Sequence, residues 1–254
     1  MTRLVRAEWT KLFTTRVWLG LLIGSCVLVG GVAALLTAFA GATQNRGQTS
    51  PGVGSAAYEQ GVLGLGTAAV ALMLILGVIG MTNEYRHRTA TPTFLTTPRR
   101  SRVVAAKLLA YALAAVPFAV VILGVLVLVV EIYAGARGAA PSLTGRNLQI
   151  LGWDAVALIV YTVMGVGLGA LLRNQVGAIV GALVYLYVLE PLIAIIPGIS
   201  SAFRFLPGGA LAAITSNSSA TDVLEPWQGA LLLLGYGLAA AVVGTVLTVR
   251  RDVL

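Results

Sequence analysis

Residues 108–132 read LLAYALAAVPFAVVILGVLVLVVEI, and the only charge in the stretch is Glu131, next to its end. A helix of about 20 residues crosses the ~30 Å hydrocarbon core of a bilayer at ~1.5 Å per residue. This stretch is therefore long enough to span. Its Pro117 is no objection, because membrane helices tolerate Pro and Gly. Working outward, five more stretches have the same character, at 17–39, 61–82, 150–172, 176–197 and 228–249. The reading is an all-α polytopic membrane protein, one transmembrane domain over 1–254 with six transmembrane helices. The first span is too long for a cleaved signal peptide and lacks a clear cleavage site.

Composition agrees. The chain has 254 residues, 58% of them hydrophobic and 10% charged, with mean hydropathy +0.92. Soluble domains carry about 25% charged residues, so a soluble enzyme is excluded, and the apolar excess excludes disorder. The net charge of +8 does not call for nucleic acid, because cytoplasmic loops of membrane proteins collect Lys and Arg. With the N-terminus inside, 13 of the 17 basic residues fall on the inner side and 4 on the outer. This places both termini in the cytoplasm. Trp9 and Trp18 fall at the inner interface, Trp153 and Trp227 at the outer. Cys26 is the single cysteine and reads as a packing residue. Arg outnumbers Lys 15 to 2, and Ala and Gly are abundant. This is the usage of a GC-rich bacterial genome and points to a bacterial inner (plasma) membrane.

Residues 2–14 read as an interfacial helix. Leu4, Val5, Trp9, Leu12 and Phe13 share one half of the helical wheel, and Arg3, Arg6, Thr10, Lys11 and Thr14 share the other. Glu8 lies in the apolar half, where it is either paired or reaches water at the helix end. The segment 83–107 is the longest basic loop and holds the only histidine. Tyr85, Phe94 and Leu95 among its charges suggest a docking element for a cytoplasmic partner rather than a plain topogenic anchor. Glu84 to Thr91 is compatible with a short helix ending before Pro92, and 99–107 with a basic start to the third span. The outer segment 198–227 alternates Pro, Gly and apolar residues, as a broken or re-entrant helix would. No internal repeat supports an inverted-repeat transporter.

Several chemistries are excluded. Neither Lys11 nor Lys107 follows a Gly-rich turn, so there is no phosphate-binding loop. One histidine cannot make a two-His zinc motif, and its place in a loop argues against a Ser–His dyad inside the membrane. No two acids share a span at helical spacing, which disfavours an aspartyl membrane protease. Most of the nine acids fall at or outside an interface. Glu190 is the exception, following Tyr185 and Tyr187 and preceding Pro191 inside the fifth span. It is either a pathway carboxylate or a structural partner for backbone freed by Pro191. Pairs of glycines at Gly20/Gly24, Gly165/Gly169 and Gly177/Gly181 permit close helix approach.

Taken together, these features resemble the membrane subunit of type-2 (export-class) ABC transporters, an ABC transporter permease. The matching parts are AEWTKLFTTRVW at 7–18, six spans with both ends inside, and the loop after the second span. Glu84, Thr89, Leu95, Pro98, Arg102 and Lys107 fit the family's loop pattern, while Arg88 stands where the family usually has Gly. The resemblance implies two permease copies, or this chain with a sister permease, around a central pathway. It implies cytoplasmic ATPase subunits that hold ATP and Mg, with no cofactor on this chain. The loop would couple to them through Glu84, Tyr85, Arg86, His87, Arg88, Thr89, Phe94, Leu95 and Pro98. Glu8, Trp9 and Lys11 would belong to the interfacial helix, and 198–227 would be an outer gate. The transported substrate is expected to be hydrophobic or amphipathic, since the spans are mostly aliphatic. Two rivals stand beside this reading. One is a gradient-driven transporter or channel using Glu190, with Tyr187 near it; the other is a non-transporting scaffold.

Overall fold

The computed structural model describes residues 2–42, 50–86, 100–196, 200–215 and 224–251. Among them every regular element is helical. Six helical stretches are long and apolar enough to cross a membrane, as a polytopic membrane protein requires.

The amphipathic helix α1 (Thr2–Thr14) turns at Thr15 and Arg16 into the first span, α2 (Val17–Ala38). Aromatic rings fix that corner. Trp9 lies 5.2 Å from Phe13, Phe13 lies 5.1 Å from Trp18, and the Trp18 indole N–H donates to the Phe13 carbonyl. The second span, Ala56–Arg86, is not one continuous α-helix. It starts as α3 (Ala56–Leu63), tightens into a 3-10 turn over the glycine-containing Gly64–Ala69, and continues as α4 (Val70–Arg86). The hydroxyl of Ser55 caps α3 by accepting the Tyr58 N–H. The third span is α5 (Arg100–Gly135) and the fourth α6 (Gly145–Leu172). The fifth is α7 (Gln175–Val184), a π-helical turn over Tyr185–Leu189, and α8 (Glu190–Ile195). Two short helices follow, α9 (Ser200–Phe203) and α10 (Pro207–Thr215), before the sixth span, α11 (Pro226–Arg251).

Helix α6 is the axis of the bundle, packed between α4 and α11. Glycines allow this. A methyl group on Gly77 would stand 2.1 Å from the Thr162 carbonyl oxygen, and one on Gly165 2.1 Å from that of Leu74. On the other face, a methyl on Gly167 would stand 2.2 Å from the Gly237 carbonyl oxygen. Backbones this close gain van der Waals contact that lipid cannot supply. Of the three expected glycine pairs, only Gly165/Gly169 serves packing within the described residues. A methyl on Gly20 or Gly181 would meet nothing within 4 Å.

The span boundaries shift outward from those expected. The second span starts at Ala56 rather than 61 and the fourth at Gly145 rather than 150, while the helix of the third starts at Arg100, as the basic start expected over 99–107 requires. The basic segment 83–107 shrinks accordingly. Its first four residues are the last turn of α4, and residues 100–107 are the first two turns of α5.

The bundle has two ends. One carries α1 and the α6–α7 turn. In that turn Arg173 takes a left-handed conformation (φ 51°) and the Asn174 side chain caps α7 through the Gly177 N–H. The other, distal end carries α9, α10 and the start of α3. There Arg137 donates to the Thr37 and Ala38 carbonyls, and the Asn147 amide donates to Glu59.

Candidate functional site

The polar residues at the α1 end converge on one cluster. Spacing of three along α1 puts Glu8 and Lys11 on the same face. The last turn of α4 brings Glu84, and the second turn of α5 brings Lys107. Lys11 Nζ donates to Glu8 Oε1 and to Glu84 Oε1, each at 2.7 Å. Lys107 Nζ donates to Glu8 Oε2 at 2.5 Å, lies 3.3 Å from Glu84 Oε1, and donates to the Gly80 carbonyl at 3.2 Å. Tyr111 covers the same glycine: a methyl on Gly80 would collide with its ring. A cavity of about 40 Å³ beside these groups is large enough and polar enough for a water.

Among the described residues the cluster sets two ammonium groups against two carboxylates. Lys107 is 1% exposed and Glu8 and Glu84 are buried. Charges removed from water cost several kcal/mol each unless paired and hydrogen-bonded, and here each ammonium touches both carboxylates. Lys11 is the half-exposed member. Burial alone would lower its ammonium, but its bonds and attraction to Glu8 and Glu84 outweigh that and hold it above the ordinary lysine value of 10.5. Glu8, read from the sequence as either paired or solvated, is paired.

Of the residues expected to meet a cytoplasmic partner, Glu84, Tyr85 and Arg86 belong to helix α4 rather than to a loop. Glu84 faces inward to the cluster. Arg86 is exposed and reaches Gln175 Oε1 at 3.5 Å. His87, Arg88, Thr89, Phe94, Leu95 and Pro98 lie outside the described residues. Trp9 packs with Phe13 on the other side of α1.

Glu190 and Tyr187 are not brought together. Tyr187 is 61% exposed on the π-helical turn. Glu190 is 1% exposed and its Oε1 accepts the Gly208 N–H at the start of α10. A carboxylate at a helix N-terminus is favoured by the unpaired N–H groups there. Two neighbours fasten the same loop: Tyr161 OH donates to the Pro207 carbonyl at 3.1 Å, and Tyr236 OH donates to the Phe205 carbonyl at 2.6 Å. Residues from the fourth, fifth and sixth spans thus all hold 205–208.

Sequence reasoning missed Asp154. With a span starting at 150 it falls near an interface. With α6 starting at Gly145 it lies nine residues in, 0% exposed, against Gly66 and Leu123. Among the described residues no side chain hydrogen-bonds its carboxylate, and the Gly66 backbone lies against it. The one signal available was Thr144-Gly145, a helix start placed five residues before the apolar run. No group of three or more His, Cys, Asp or Glu among the described residues is arranged to hold a metal ion. In comparison with known proteins, no family model matches the chain, and no curated protein matches it.

Proposed function

We propose that the chain is the membrane-spanning subunit of an export-class ABC transporter. Both termini and residues 87–99 would face the cytoplasm of a bacterial cell, with the chain in the inner (plasma) membrane. A second copy or a sister permease would complete the pathway. ATP, with Mg, would be hydrolysed on separate subunits, and a hydrophobic or amphipathic substrate would be exported by alternating access.

The observation that carries this reading is the four-residue cluster. It joins α1, the end of α4 and the start of α5 at the roots of 87–99. Glu84 is three residues before that segment, and Lys107 is eight after it. A displacement of the segment by a partner is delivered to three helices at once, because separating any of them unpairs a buried charge. A partner shifts the equilibrium only as far as it binds the two arrangements differently. The basic excess at this end supports the cytoplasmic placement.

The test is a mild-detergent pull-down of tagged protein from its host, with mass spectrometry and an ATPase assay. A co-purifying nucleotide-binding subunit whose activity depends on residues 87–99 is expected. Arg86→Glu is the informative point variant, because it is exposed; reversal at Glu84 would break the cluster itself. Normal coupling of ATP turnover to transport in Arg86→Glu, and in a variant with 87–99 replaced by a Gly/Ser linker, would sink the role. Transport without any ATPase partner would favour the gradient-driven reading. There Asp154, buried with no side chain pairing it among the described residues, is a stronger carboxylate candidate than Glu190, which is engaged with α10. Recovery of a partner with no transport would leave the scaffold.

A further inference from the structure

The fifth span leans on the bundle mainly through its first turns, against α4 and α6. Between it and α11 a cleft stays open over the face of α6. Its volume is about 590 Å³, within the ~300–1,000 Å³ range of small-molecule sites. Along the fifth span it runs from Ala178 on α7 to Leu186 on the π-helical turn, about 12 Å at ~1.5 Å per residue. That is close to the depth of one leaflet, half of the ~30 Å hydrocarbon core. Leu206 and Pro207 close the distal end. They belong to the loop that Glu190, Tyr161 and Tyr236 fasten.

The walls decide what fills it. Tyr185 and Tyr236 are the only polar side chains among the lining residues, and the Tyr236 hydroxyl already donates to Phe205. A buried water needs two to four polar partners, so water is not a stable occupant. The other walls are Leu, Met, Val, Ala, Gly and Pro. They continue without a polar break into the outer faces of the fifth and sixth spans, where Val180, Val184, Val242 and Val246 are exposed. Six apolar spans put those faces in lipid hydrocarbon. An unfilled space this size forfeits dispersion contact along its whole lining.

We propose that this cleft is a binding site for a single acyl tail of a bilayer phospholipid, entering sideways between the fifth and sixth spans and stopping under the 205–208 loop. The inference rests on the membrane placement of the spans and not on the transporter reading.

The test uses the full chain in nanodiscs of phosphatidylcholine that include a phosphatidylcholine with a photoactivatable diazirine on one acyl chain. Crosslinked residues are mapped by mass spectrometry. Labelling at Leu168 and Leu186 in the cleft is expected to exceed that at the outward-facing Val27 and Val120. Gly181→Phe, at a position where an added methyl meets nothing within 4 Å, is expected to cut cleft labelling about tenfold and leave Val27 and Val120 unchanged. Ala239→Phe fills the cleft from the opposite wall and repeats the test independently. Cleft labelling no higher than that of the outer faces, or unmoved by both fillings, overturns the proposal. So does an interchain disulfide between Val184→Cys and Val242→Cys in a Cys26→Ser background, because it would assign the cleft to a second copy.

Discussion

Replacing Lys107 by Met removes one ammonium from the buried cluster and keeps the side chain's bulk. Glu8 Oε2 then loses its 2.5 Å partner, and Glu84 loses one of its two lysine neighbours and keeps Lys11. Removing one member of a buried ion pair costs about 3–5 kcal/mol, because the remaining charge stays desolvated. Lys107, at 1% exposure, belongs to that regime. Lys11 does not: its side chain is 50% exposed, and solvent can take over its pairing, so Lys11→Met is expected to cost about 1 kcal/mol or less. At roughly 2–4 °C per kcal/mol for a chain of this size, Lys107→Met should lower the unfolding midpoint by about 6–20 °C, several times the effect of Lys11→Met. The readout is labelling of Cys26, the single cysteine, by a thiol-reactive fluorophore during a thermal ramp. The double variant Glu8→Gln/Lys107→Met removes both charges of the closest pair. It should recover most of the loss, because a neutral replacement of a buried pair is near neutral. Equal midpoints for Lys107→Met and the unaltered protein, or a double variant no better than the single, would refute the buried-pair argument.

Other predictions follow from the same geometry. The Lys11 ammonium is held above its ordinary value on folding, so its pairing contributes stability fully below pH 10.5 and loses it as pH rises through the higher folded value. The midpoint difference between the unaltered protein and Lys11→Met should therefore be constant at neutral pH and shrink above pH 10.5, read by intrinsic fluorescence. Gly77→Ala and Gly165→Ala should each cost about 1–3 kcal/mol by overpacking, whereas Gly20→Ala, which meets nothing, should be silent; the same thermal ramp separates them. Glu190→Ala leaves the Gly208 N–H without its acceptor, so amide hydrogen exchange at Gly208 and Gly209 should accelerate about tenfold, the loss of one hydrogen bond of about 1.4 kcal/mol, while α5 is unchanged. Asn174→Ala removes the α7 cap and should cost about 1 kcal/mol.

The number and order of the spans were readable because apolar runs of this length have few alternatives to crossing a membrane. Their ends were not, and the reason is visible at Gly145–Gln149. These residues are polar by composition, yet they are helical because Asn147 finds partners in Glu59 and Ser142. Hydropathy registers the cost of polar groups in hydrocarbon and cannot register a partner that another element brings. The same blindness trimmed the second span. Residues 56–60 lack a strong apolar signal, and it is the Ser55 cap and the Thr37–Tyr58 hydrogen bond that hold them in place. The glycine pairs failed differently. Spacing identifies a helix face that permits close approach, but whether a second backbone arrives there depends on tertiary arrangement, which sets Gly165 against Leu74 and leaves Gly181 facing the cleft.

Site residues divide along the same line. Glu8 was legible as an acid in the apolar half of α1 that needed a partner or water, and Glu84 and Lys107 as the borders of a basic segment, yet nothing in the chain says that these three and Lys11 meet. The convergence needs Gly80, whose missing side chain lets Lys107 and Tyr111 reach the α4 backbone. It also needs α5 to begin at Arg100, so that Lys107 sits two turns inside a helix instead of at its edge. A single lysine inside an apolar stretch looks like an interface marker from sequence, because lysine snorkels toward water. Lys107 cannot: α1 lies across its exit and supplies Glu8 in place of solvent. The amphipathic α1 is therefore more than a helix resting on a bundle, because it completes the solvation of a charge that the third span carries inside.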